Sequence, residues 1–170
     1  MSVAGAVQRL LDEEGLTQVQ MALDLFVSEQ LVSHIKNGRR KMVDDVAKRS
    51  LEIYDNPFYS IDVLHEFGDR CSPPVFRGNS VEQHRLAFEE VTIHEALEAI
   101  DILNEVSFVR NPSQINKEER DRVKQAIGEL LDVEAWARNL AALLCSEYKI
   151  SWKDSYKKRV PIWKSKGWIQ

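Results

Sequence analysis

Residues 16–42 read LTQVQMALDLFVSEQLVSHIKNGRRKM, and their spacing decides the fold of the first part of the chain. They predict two short helices joined by a tight turn. Thr17 is placed to cap the first helix, which leaves Gln18 exposed at its start, and Ala22 is small enough for two helices to approach closely there. Val27 is expected to be buried at the turn, and Ser28 caps a second helix that Asn37 and Gly38 close. Val27, Leu31, Val32 and Ile35 fall on one apolar stripe. Glu29, Gln30, Ser33 and His34 are left on the opposite face. This is the layout of a helix-turn-helix, in which the second helix, 28–37, enters the major groove of DNA and its N-terminal half reads base edges.

The same stretch resembles the XRE family, the Cro and phage-repressor-like helix-turn-helix proteins. Leu16, Thr17, Gln18, Ala22, Leu25 and Val27 fall in register with the family pattern, as do Ser28, Val32, Ser33, Ile35, Gly38 and Arg40. Two positions depart from it. Phe26 stands where a turn glycine is usual, so a residue with a Cβ must tolerate or avoid the left-handed conformation. Lys36 replaces a common glutamate and adds positive charge. The resemblance covers roughly the first 65 residues. It implies a five-helix, lambda-repressor-like DNA-binding domain, and a regulator that occupies an operator as a dimer on two half-sites. Carried over residue by residue, it makes Glu29, Gln30 and His34 the base contacts, with Ser33 a further candidate. Gln30 could bond an adenine edge, Glu29 could accept from a cytosine amino group and His34 could donate to a guanine. Gln18, Ser28, Lys36, Asn37, Arg39, Arg40 and Lys41 would hold phosphates, which position a protein without carrying sequence information.

The formal net charge of −4 runs against the usual balance of a DNA-binding protein, but the distribution matters more than the total. Between Ser28 and Ser50 six bases stand against three acids, a local +3, while acids concentrate between Glu82 and Glu134. At 170 residues, 44% apolar and 29% charged, the chain is expected to hold one ordinary domain or two small ones. No apolar run is long enough to span a bilayer. The N-terminus lacks the basic and apolar segments of a secretory signal, and Cys71 and Cys145 have no metal-type spacing. The expectation is therefore a cytoplasmic protein with two ordinary thiols, no metal and no cofactor.

The apolar pattern predicts helices over about Val3–Glu14, Met42–Tyr54 and Phe58–Phe67 around the central pair. Residues 68–80, GDRCSPPVFRGNS, carry two glycines and Pro73-Pro74 and are expected to link a domain of residues 1–67 to one of residues 81–170. Two long helices follow, about Val81–Val109 and Lys117–Lys149, with Ser113 or Asn116 as the cap of the second. Leu86, Ile93, Leu97 and Ile100 make a stripe on the first; Ile127, Leu130, Leu140 and Leu144 make one on the second. Steps of three, four and seven are those of helices packed nearly antiparallel, and two helices alone bury little. A homodimer held through these stripes is expected. The tail from Ser151 interleaves Trp152, Tyr156, Trp163 and Trp168 with lysines. Such interleaving can bind nucleic acid, but packing of the aromatics on the long helices is the plainer expectation.

The whole reading is a non-enzymatic, sequence-specific transcriptional regulator, with repression the default and a phage or prophage setting suggested by overall resemblance. Two alternatives stay open. Glu95-Ala96-Leu97-Glu98 and Glu129-Leu130-Leu131-Asp132 put paired acids on one face of each long helix, a faint resemblance to the MazG-like all-α NTP pyrophosphohydrolases, in which carboxylates hold Mg²⁺ on a nucleotide's phosphates. Otherwise the C-terminal module is a docking platform for a regulatory protein.

Overall fold

The computed structural model describes residues 3–170, and among these all regular structure is helical. No helix among the described residues is long and apolar enough to cross a membrane. The chain divides into two compact units. One comprises the residues up to Val75 together with Ala142–Gln170; the other is Phe76–Ala141.

In the first unit, helices α1 (Val3–Glu14), α2 (Gln18–Leu25), α3 (Glu29–Lys36), α4 (Asp44–Ile53) and α5 (Pro57–Phe67) form near the expected positions. Val7, Leu10 and Leu11 of α1 repeat at helical spacing and are buried with Met21, Leu25, Val32 and Ile35 in one core. Asn56 caps α5: its side-chain oxygen accepts from the Tyr59 amide at 2.9 Å, and Pro57 occupies the first turn, where no amide donor is needed. The hydroxyls of Ser50 and Tyr59, sealed into this core, are partnered. The Tyr59 hydroxyl donates to Ser50 Oγ at 2.7 Å, and Ser50 in turn donates to the Ala47 carbonyl at 2.7 Å. Burial pushes the Tyr59 hydroxyl up to about 12. Arg9 of α1 reaches Asp62 of α5 at 2.8 Å, and the Asp62 side chain is almost fully covered.

The tail adds a helix that the sequence pattern did not predict, α8 (Trp152–Ser165), with Pro161 inside it and Ser151 as its cap. Trp152 is buried with Ile61, Val75 and Ala142, flanked by Phe58 and Cys145, and Tyr156 meets its ring edge-on at 5.0 Å. The Lys153 amide donates to Asp55 at 3.0 Å, and its ammonium to the Glu52 carbonyl at 2.9 Å. Partial burial draws the Lys153 ammonium below its ordinary range. The expected grouping of 151–170 with 81–150 is thus corrected. Residues 142–170 fold with the N-terminal helices, because one tryptophan supplies what Ile61 and Val75 need as cover. Residues 68–80 are likewise more than a spacer, since Val75 belongs to the first unit's core and Phe76 to the second's.

In the second unit, α6 (Arg85–Glu105) and the larger part of α7 (Lys117–Glu147) are joined through a 3-10 turn at Pro112–Gln114. Asn116, one of the two expected caps, opens α7 in a reciprocal box. Its side-chain oxygen accepts from the Glu119 amide at 2.8 Å, while Glu119 accepts from the Asn116 amide at 2.9 Å. That backbone bond and nearby Arg110 hold the Glu119 carboxyl below its ordinary range. Trp136 is the aromatic centre, with Phe76 at 4.7 Å and Phe88 at 5.4 Å, both edge-on. Fully buried Asn139 is satisfied locally: its amide donates to the Ala135 carbonyl and its oxygen accepts from the Phe76 amide, each at 2.9 Å. Ile102, Val106 and Ala126 form a smaller cluster with Val123 against it, beside an Arg122–Glu105 ion pair.

Candidate nucleic-acid interface

The geometry of 17–42 follows from its caps. Thr17 Oγ1 accepts from the Gln20 amide at 3.1 Å and starts α2, and Ser28 Oγ accepts from the Leu31 amide at 3.2 Å and starts α3. Between the two helices the chain reverses at Phe26, which adopts the left-handed conformation at φ 53° and ψ 45°. The Val27 amide then bonds the Ala22 carbonyl at 3.0 Å, so α2 ends and α3 begins within three residues. The Phe26 ring is 81% exposed and lies 5.0 Å beneath the Arg49 guanidinium, which also donates to the Leu25 carbonyl at 3.1 Å.

Helix α3 buries Val32 and Ile35, and Val27 and Leu31 are packed partly against the same core. Of the expected base readers, Glu29 and Gln30 are exposed on its first turn, while Ser33 and His34 are half-buried further along. Glu29 also sits at the N-terminus of its helix, where the backbone amides favour a carboxylate. Among the expected phosphate contacts, Ser28, Asn37, Arg39, Arg40 and Lys41 are exposed; Gln18 and Lys36 are half-covered. Two of these have a local role as well. Ser28 spends its oxygen on the cap, and Asn37 donates its side-chain amide to the Ser33 carbonyl at 2.8 Å. Gly38 takes φ +68°, and the Arg39 and Arg40 amides turn back onto the His34 carbonyl at 2.8 and 3.2 Å. That hook carries Arg39, Arg40 and Lys41 past the end of α3 as one exposed basic segment. A feature that spacing did not reveal is the Arg49–Phe26 stack, because Phe26 stands in the turn and Arg49 on α4, far along the chain.

The second unit holds a separate group of acids. Carboxylate oxygens of Glu95 on α6 and of Glu129 and Asp132 on α7 lie within 4.8 Å of one another. Partial burial and the neighbouring carboxylates of Asp132, Glu98 and Glu129 raise the Glu95 carboxyl above its ordinary range. Three of the four acids of the paired motifs therefore converge. The fourth, Glu98, faces His94 one turn earlier on α6 at 3.5 Å.

The stripe residues of the long helices divide into two sets. Leu86, Ile93, Leu97, Ile100, Ile127 and Leu130 are exposed, whereas Leu140 and Leu144 are partly covered within the chain. Cys71 and Cys145 are both free thiols. Comparison of the chain with protein-family models, with curated proteins and with solved structures gives no match.

Proposed function

We propose that the chain is a sequence-specific double-stranded-DNA-binding transcriptional regulator whose reading element is α3. The observation that carries this is the α2–Phe26–α3 unit: two eight-residue helices, each with a side-chain N-cap, in tight succession. The second helix buries one face and leaves its first turn polar, and an exposed basic segment follows its C-terminal end. An α-helix of this size fits the major groove, where each base pair presents a distinct set of donors and acceptors. Glu29 and Gln30, on the outward first turn, are the leading readers; His34 and Ser33 reach a base from a half-covered position. Arg39, Arg40 and Lys41 supply the phosphate contacts that set register. This reading belongs with the XRE-type resemblance of residues 16–42, and repression by occupying an operator is its simplest form.

Selection of DNA from a random pool gives the operator, and binding of variants to it tests the assignment. Gln30→Ala and His34→Ala should flatten preference at particular base pairs and cost about 1–3 kcal/mol each on the cognate site. Arg39→Ala or Arg40→Ala should weaken binding to all sequences and reduce the salt slope by about one ion each. Failure to select any sequence, or unchanged preference in both reader variants, overturns it.

A second reading is favoured by one specific observation, the convergence of Glu95, Glu129 and Asp132. Three carboxylates with oxygens this close are suited to a hard divalent cation with oxygen ligands, and Mg²⁺ held there could carry a nucleotide's phosphates. This is the chemistry expected from the MazG-like resemblance, and it sits in a different unit from α3. Incubating the full chain with Mg²⁺ and each nucleoside triphosphate is the test. Release of pyrophosphate that disappears in Glu129→Gln supports hydrolysis; no turnover with any triphosphate removes it.

A further inference from the structure

We infer that the second unit is half of a symmetric assembly, and that a second copy of this chain covers the bare apolar sides of α6 and α7. At 3.6 residues per turn, Phe88, Ala99 and Ile102 of α6 lie on one side of the helix and are buried. Leu86, Ile93, Leu97 and Ile100 lie on another side at steps of seven, four and three, and each is more than half exposed. A helix with apolar residues around most of its circumference belongs in the interior of a bundle. Helix α7 also leaves apolar side chains bare: Ile127, Leu130 and Leu131 stand about half exposed.

The amount of surface argues for a second copy. With Leu103, these bare side chains offer on the order of 700 Å² per chain, close to the roughly 800 Å² per partner that a stable interface buries. The charges argue for a particular pairing. Helix α6 carries six acids to one arginine; α7 carries five bases to seven acids over its length, but four of those bases stand in its first eight residues against three acids. Setting α6 against another α6 would stack carboxylates. Setting the C-terminal end of α6 of one copy against the first turns of α7 of the other places Glu98, Asp101 and Glu105 opposite those bases, as Glu105 and Arg122 already pair within one chain. A two-fold axis then makes the same contact twice and closes a four-helix arrangement.

The inference rests on the second unit alone, so its test is run on the full chain without DNA and can fail independently of the DNA-binding reading. Sedimentation equilibrium should give a particle of twice 19.6 kDa, with Leu97→Glu/Ile100→Glu and, separately, Ile127→Glu each weakening association by about 100-fold or more. Both variants should keep the helical circular dichroism of the parent, because the altered side chains are already bare in the single chain. A Leu23→Glu variant, changed at an exposed leucine of the first unit, should assemble like the parent. A parent that stays at 19.6 kDa up to about 100 μM overturns the inference, since a different occupant would then cover the stripes. So does an assembly that survives both interface variants.

Discussion

Phe26 holds a left-handed backbone conformation that glycine would accept without strain. A non-glycine residue in the left-handed region costs about 1–2 kcal/mol, and here the side chain recovers little of that by burial. The Arg49 guanidinium above the ring returns about 0.5–1 kcal/mol at an exposed site. Replacing Phe26 with glycine should therefore raise stability by about 0.5–1 kcal/mol, read as a higher denaturation midpoint at unchanged slope. Phe26→Ala should do the opposite, because alanine keeps the strain and loses the stack. A glycine variant less stable than the alanine variant would show that the ring, not the backbone, governs this turn. The sequence alone identified the conflict at this position; it could not tell which way the backbone would resolve it, because Arg49 lies on another helix.

Helices α1 to α7 were largely legible because each announces itself locally. Apolar residues recur at helical spacing, and Thr17, Ser28 and Asn116 stand at the starts, where a side-chain oxygen satisfies a free amide. Helix α8 was not legible, for an equally local reason. Lysines interrupt its aromatic stripe and Pro161 interrupts the helical donors, while Trp152 finds its partners on α5 and α7 and at Val75. Periodicity describes one helix at a time and is silent about contacts between residues far apart in the chain. The structural role of α8 predicts that Trp152→Ala should destabilise the first unit by about 3 kcal/mol or more, seen as a lowered thermal midpoint. A loss within about 0.5 kcal/mol would mean that the cluster of Ile61, Val75 and Ala142 closes without it. The candidate acid site had a similar limit. Spacing placed Glu95 with Glu98, Glu129 with Asp132, and Glu98 one turn from His94, but only the packing of two helices brings Glu95 to Glu129 and Asp132.

Across the molecule as a whole, charge and apolar surface are distributed so that the two units offer different surfaces. The first has a basic segment beyond α3, and the second has an acidic, apolar helix and a group of three carboxylates shared between α6 and α7. The division of the chain also carries a consequence for synthesis. Ile61 and Val75 leave the ribosome well before Trp152, and all of Phe76–Ala141 is made in the interval. The helices around α3 can fold early, since their core draws only on residues 3–63. The unit that carries them is sealed only when the chain returns to it. A nascent or prematurely ended chain would thus display the reading helix together with an open, adhesive patch at Phe58, Ile61 and Val75, the kind of half-made surface that chaperones and proteases recognise first.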